Sequence, residues 1–278
     1  MSSGDASEPD SGSAAGAGAP PTFDTSVASQ ARMYDYLLGG KDNYAADREA
    51  VEQALKIWPD MPFTARANRA VLGRTIRYLA GDAGVRQFLD IGTGIPTAGN
   101  THQVAQAIAP ESRVVYVDYD PVVLAHARAL LTSNEEGATD YIDADLRDTE
   151  TILEGAGRLL DLTQPVAVTL LMILHVIPDA DDPHAMVARV MDALPPGSYL
   201  AVSHLGAELL DQDKSDGFQG VVRRQAQQQY IGRDRAEFER FFAGTDLIEP
   251  GVVRVEEWRP DHEPEGRSAL WCAVGRKR

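Results

Sequence analysis

The chain has a single cysteine, Cys272, among 278 residues. An internal disulfide and a multi-cysteine zinc cage are therefore excluded. Long apolar runs are also lacking. The longest, Val166 to Val176, is broken by Thr169 and His175 and is too short to span a bilayer. Positive charge is scarce: 26 Lys and Arg stand against 42 Asp and Glu, a formal charge of −16. That balance argues against a general nucleic-acid binder, which needs cations to neutralise phosphates. No two histidines share a helix at metal-ligand spacing, so no metal site is expected. The N-terminal stretch has no basic region followed by an apolar one, so no Sec-type signal is expected and a reducing cytoplasm is the default location. What is present, 44% apolar and 24% charged residues, is ordinary for a globular protein.

Three regions follow from composition and periodicity. Residues 1–22 are dominated by Ser, Gly, Ala, Pro and acids and cannot bury enough apolar surface to offset their ordering entropy, so a disordered tail is expected. Residues 23–83 read as helices: one over Ser26–Leu38 stopped by Gly39-Gly40, one capped by Asp42, and one capped by Thr64. They form an expected helical cap or lid. Residues 84–278 alternate strand and helix, the pattern of a mostly parallel sheet. Val252–Trp258 and Ser268–Val274 follow one another with no helix between, so they predict an antiparallel hairpin and one reversed strand at the sheet edge.

The chemistry concentrates at Asp90-Ile-Gly-Thr-Gly94, at a strand-to-helix junction. Glycines there let the backbone approach a ligand and aim N–H groups at it. Asp118 ends the next strand, where a carboxylate can take two ribose hydroxyls, and Asp145 follows the third. Strand ends of an open parallel sheet converge on one crevice, so these groups predict a nucleoside site. A dinucleotide motif would carry a third glycine where Thr97 stands. Acids before and around the glycines suit a cationic ligand such as S-adenosylmethionine.

The order Asp-x-Gly-x-Gly, strand-end acid, Asp145, long apolar strand and Leu194-Pro-Pro-Gly-Ser-Tyr-Leu resembles class I S-adenosylmethionine-dependent methyltransferases over about Val85 to Arg276. More narrowly, Ala31-Arg-Met-Tyr-Asp-Tyr-Leu-Leu-Gly-Gly-Lys-Asp-Asn-Tyr44, Phe88-Leu-Asp-Ile-Gly-Thr-Gly94 and Val115-Tyr-Val-Asp-Tyr-Asp-Pro121 resemble a subfamily of S-adenosyl methyltransferases that was long a domain of unknown function. The resemblance implies a Rossmann-like α/β fold, with a seven-stranded mostly parallel sheet, one antiparallel edge strand and preceding helices. It implies S-adenosyl-L-methionine as cofactor. Gly92 and Gly94 would run beneath its methionine part, with Asp90 near the ammonium. Asp118 would bind the ribose diol and Tyr119 would pack on adenine. Asp145 would accept from the adenine amino group, the Leu146 N–H would meet a ring nitrogen, and Leu174 and His175 would line the sulfonium side. The Ile95–Asn100 loop and the extra acid Asp120 leave open which groups hold the methionine carboxylate and which acid takes the ribose.

His175 and His204 follow neighbouring strands and are candidate general bases, or else hydrogen-bonded structural histidines. Arg32–Arg48 reads either as a helix–turn–helix connector or as a lid with Tyr36, Lys41 and Tyr44 facing the cleft, Lys41 then orienting an acidic substrate. The acidic balance favours a small-molecule acceptor over nucleic acid. Two alternatives stay open on the residues alone: a nucleoside-binding protein without turnover, and an NAD-dependent oxidoreductase sharing the strand-Gly-x-Gly-helix layout.

Overall fold

The computed structural model describes residues 24–130 and 133–278, without the side chains of residues 128–130. The tail expected over 1–22 lies outside the described residues. Three helices come first: α1 (Gln30–Leu37), α2 (Ala45–Leu55) and α3 (Met61–Arg77). The alternating part then runs β1 (Gln87–Ile91), α4 (Thr101–Ile108), β2 (Arg113–Asp118), α5 (Pro121–Leu130), β3 (Ala138–Asp143), α6 (Thr149–Ala156), β4 (Ala167–Leu171), α7 (Pro183–Asp192) and β5 (Tyr199–Leu205). The last part holds α8 (Gln212–Gln225), α9 (Arg235–Glu239), β6 (Thr245–Leu247), β7 (Val253–Arg254) and β8 (Leu270–Lys277). No helix among the described residues is long and apolar enough to cross a membrane.

The strands lie in the order β3-β2-β1-β4-β5-β8-β6, with β7 also on β8. The pairings among β1 to β5 are parallel, and β8 runs antiparallel to β5, β6 and β7. Every residue of β1, β4 and β5 is buried, as strands covered on both faces require. The two-residue period of a strand divides them between two layers. Phe88, Val114 and Tyr116 join a core with α1, α2, α3 and α8, whereas Leu89, Val115 and Val117 join one with α6, α7 and α9.

The mostly parallel sheet matches expectation, and the reversed strand differs in place. It is β8, flanked by β5 on one side and by β6 and β7 on the other, so it is not the edge. The expected strand over 252–258 shrinks to β7 because buried Arg74 donates to the carbonyls of Val255 (2.6 Å) and Trp258 (2.9 Å) and draws that stretch into a 3₁₀ turn. The N-terminal helices also start elsewhere than their expected caps. Asp42 donates its N–H to Asp35 Oδ2 (2.9 Å), and α2 begins at Ala45 with Asp47 Oδ2 accepting from Tyr44 N–H (2.8 Å). The α3 helix begins at Met61, ahead of Thr64, because Pro62 is tolerated in a first turn.

The carboxylate of Asp47 is wholly buried and also accepts from Ser29 N–H (2.9 Å) and Arg32 Nε (2.9 Å). This ion pair locks α1 onto α2. Removing one partner of a buried pair strands the other charge, so Asp47→Ala should lower the unfolding free energy by about 3–5 kcal/mol. Arg77→Ala, which breaks the exposed pair to Asp261, should change it by less than about 1 kcal/mol. Urea unfolding of both variants checks the contrast.

Candidate active site

Strand order proceeds outward from β1 one way and from β4 the other, and ligands bind beyond the carboxyl ends of strands at such a reversal. Two adjoining cavities lie there. The larger, about 430 Å³, is walled by Asp90, Gly92, Gly94 and Asp118 together with Ser29 and Gln30 of the α1 region. The smaller, about 270 Å³, extends to Asp145 and Leu146. Gly92, Asp118, Tyr119, Ile173 and Gln228 border both, so the two form one trough. Its size is that of a small-molecule site.

The acids in it are held differently. Asp90 is buried and accepts from the hydroxyls of Thr101 (2.6 Å) and Thr169 (2.7 Å); burial raises its pKa and those two hydrogen bonds oppose the rise. Asp118 accepts from the N–H groups of Gly94 (2.9 Å), Tyr119 (2.9 Å) and Asp120 (3.0 Å), and burial again raises its pKa. Asp118 thereby ties the glycine loop to the end of β2. A carboxylate offers roughly four acceptor sites, which leaves Asp118 capacity for a ligand hydroxyl. Asp120 accepts from Val122 N–H (2.8 Å), inside the first turn of α5, and from the Ser29 hydroxyl (2.7 Å), which clasps α1 across the trough. Asp145 pairs with Arg147 (2.8 Å), which also reaches Asp181 (2.7 Å). Tyr119, 51% exposed, presents its ring at the junction of the cavities.

Gly92 is required twice over. Its φ is +74°, and a Cβ there would lie 2.6 Å from Ile173 Cγ1. The loop that follows is held by Arg69 of α3, whose Nη2 donates to Ala98 O (3.1 Å) and Asn100 Oδ1 (2.9 Å). Arg69 also lines the larger cavity, and burial lowers its pKa.

Several expected site residues lie elsewhere. Leu174 is fully buried in the layer shared with α7; a 3₁₀ turn over Leu174–Val176 sends it inward, and Met172 and Ile173 line the trough in its place. His204 is also fully buried. Its Nδ1 bonds Leu205 O (2.8 Å), and Arg233 donates to its Nε2 (2.8 Å), so it braces Arg233 and does not reach the trough. His175 lines a separate apolar cavity behind the trough. Tyr36 bonds Glu52 (3.3 Å), and neither it nor exposed Lys41 or Tyr44 lines either cavity of the trough. The Gly39–Asn43 stretch folds onto Asp35, whose Oδ2 accepts from Asp42 N–H and Asn43 Nδ2. At Gly40 a Cβ would collide with that carboxylate, at 1.9 Å from Oδ1.

Gln228, between α8 and α9, had no signal in the sequence beyond lying in a run of glutamines. Its Oε1 is buried at the junction of the two cavities with no hydrogen-bond partner among the described residues. An orphaned acceptor, carboxylates, bare glycine backbone and an exposed aromatic ring together suit a ligand rich in hydroxyl and amino donors with a flat base, as S-adenosylmethionine is.

Fold and trough thus define a Rossmann-like nucleoside-binding enzyme. Comparison with known proteins gives the family. Residues 16–278 match the model described as S-adenosyl methyltransferase. A DUF574 family protein of Streptomyces avermitilis MA-4680 is 45% identical over 92% of this chain and 99% of that one, with a TM-score of 0.89. A proposed methyltransferase of Thermobifida fusca YX is 41% identical over 91% of this chain and 96% of that one, with a TM-score of 0.83. No curated protein matches the chain. The chain belongs to the S-adenosyl methyltransferase family, and S-adenosylmethionine is its cofactor. The nicotinamide alternative gives way to this membership.

Burial lowers the pKa of His175 and of His204 from 6.5 to about 3, with the Arg233 cation adding to both shifts. Each imidazole is therefore neutral in the folded state down to about pH 3, while the unfolded chain protonates near 6.5. The unfolded state binds more protons between those values, so stability falls as pH falls through that window. Each histidine should remove about 1.4 kcal/mol of unfolding free energy between pH 7.5 and pH 5.5. Unfolding at both pH values checks this, and His204→Gln should lower the slope by one histidine's share.

Proposed function

We propose that the enzyme methylates a small-molecule acceptor in the cytoplasm, with the helices over 23–83 closing the trough from above. The carrying observation is the single trough that gathers Asp90, Gly92, Gly94, Asp118 and Tyr119 at the β1/β4 reversal. Gly92 and Gly94 would underlie the methionine part, with Asp90 facing its ammonium. Asp118 would take a ribose hydroxyl and Gln228 Oε1 a second donor. Asp120 is engaged by Ser29 and Val122, which favours Asp118 for the ribose. Tyr119 would stack on adenine, with Asp145 and Leu146 at its edge. Two arginines line the larger cavity; Arg32 is paired with Asp47, which leaves Arg69 to face the methionine carboxylate.

When bound, S-adenosylmethionine would supply an electrophilic methyl group on its sulfonium for an acceptor lone pair, the sulfur keeping the electron pair of the bond it gives up. The chain's own contribution is placement and exclusion of water. In-line alignment of nucleophile and methyl can supply most of the rate without a general base. That fits a trough in which neither cavity has a histidine in its wall.

Calorimetry with S-adenosylhomocysteine, and transfer of a labelled methyl group to small-molecule extracts, test this reading. Failure to bind S-adenosylhomocysteine at millimolar concentration overturns it. Asp118→Ala should weaken binding at least about tenfold, the loss of one charge-assisted hydrogen bond. Arg69→Gln should weaken S-adenosylhomocysteine about tenfold yet leave 5′-methylthioadenosine, which lacks the carboxylate, unchanged.

A further inference from the structure

Behind the trough lies a third cavity, about 70 Å³, between α1, α2, α3, α8 and the turn after β4. Its wall includes Met33, Val51, Trp58, Met61 and Phe218, and no Asp, Glu, Lys or Arg. Gln30, Tyr34 and Met172 belong to this wall and to that of the larger cavity of the trough, so the two spaces share these three residues as a partition. Two buried polar atoms of its wall residues have no hydrogen-bond partner among the described residues: His175 Nδ1 and Thr64 Oγ1. Mostly apolar walls with a few polar groups are the composition of a ligand pocket.

The tautomer of His175 follows from its neighbours. Gln30 Nε2 donates to Met172 O (3.0 Å), which fixes the amide with its NH₂ toward the turn. The same nitrogen lies 3.4 Å from His175 Nε2, which must then be the acceptor. The proton of the neutral ring is on Nδ1. His175, 1% exposed, thus carries a buried N–H donor with nothing among the described residues to receive it. Leaving such a donor unmet is unfavourable, and a ligand oxygen relieves it.

We propose that the methyl acceptor is an uncharged, largely apolar small molecule whose carbonyl-type oxygen accepts a hydrogen bond from His175 Nδ1–H in this cavity, with its nucleophile directed past Gln30 and Met172 into the trough. This identification of the acceptor rests on the methyltransferase reading above. The histidine acts as a positioning residue. A cavity of about 150 Å³ takes a benzene ring, so 70 Å³ receives a smaller group unless the wall yields. Met33, Met61 and Met172 are the side chains able to yield, since methionine repacks easily.

The test pairs acetone with isobutene, which has nearly the same shape and no oxygen. Binding is read from Trp58 fluorescence, with Trp58→Phe as the signal control, and from saturation-transfer NMR. The wild-type enzyme should bind the ketone about tenfold more tightly than the hydrocarbon. His175→Phe should bind both alike. Val51→Phe, or Ala54→Met if that variant does not fold, fills the cavity and should bind neither. All variants should keep the wild-type affinity for S-adenosylhomocysteine, measured in the same samples. A ketone preference that survives His175→Phe, binding that survives the filled cavity, or no binding of either probe to wild type overturns the proposal. Absence of S-adenosylhomocysteine binding would instead overturn the cofactor reading, so the two failures are distinct.

Discussion

The carboxylate of Asp90 holds the site together. It sits on β1 opposite Thr169 of β4, across the point where the strand order reverses, and accepts from that hydroxyl and from Thr101 at the head of α4. One buried group therefore ties both central strands and the helix after the glycine loop. A buried charge is tolerable only where hydrogen bonds satisfy it, and here one donor comes from β4 and the other from the head of α4. The same residue lines the larger cavity, so the junction of the central strands and the wall of the trough draw on one carboxylate.

A second set of polar contacts carries the N-terminal helices onto this frame. Arg32, Ser29 and Tyr44 converge on Asp47, Ser29 reaches Asp120 across the trough, and Gln30 reaches Met172. Beneath them a chain of hydrogen bonds runs from Met172 N–H to Ser203 Oγ, from Ser203 to Asn68 Oδ1, and from Asn68 Nδ2 to Tyr34. Met172 has φ +56°, an unfavourable value for a side chain of its size. The network holds that conformation in place, and such strain gathers at functional sites. Helices, strained turn and cofactor trough are thus one polar construction, not a sheet with a loose cover.

The histidines illustrate how position decides chemistry. His175 follows β4 and His204 is the penultimate residue of β5, and neither lines the trough. His204 accepts from Arg233, which in turn donates to the carbonyls of Leu174 and Ile177 and pairs with Asp179. His175 lines an apolar cavity and keeps a buried Nδ1 without a partner among the described residues. Neither has the basicity of a proton acceptor at neutral pH.

Much was legible in the residues themselves. The β1 motif, the strand-end acids and the alternation of strands with helices are local patterns. Period-two burial and glycine backbone freedom act within a few residues, so Asp90, Gly92, Gly94, Asp118 and Asp145 could be expected at one cleft from local pattern, whereas Tyr119 and Leu146 were expected there only from the family resemblance. The extra strand β6, the interior place of β8, and the inward turn of Leu174 were not legible. They depend on partners more than twenty residues away, such as Arg74 on Val255 and Trp258. Arg69, Gln228 and the His175 cavity belong to the same class. The amino-acid order alone determined the sheet and the acid-and-glycine cleft, because short-range sterics and hydrophobic period set them. Only the tertiary structure decided which helix lines the cleft and which polar atoms are left without partners among the described residues, because those depend on long-range contacts and burial.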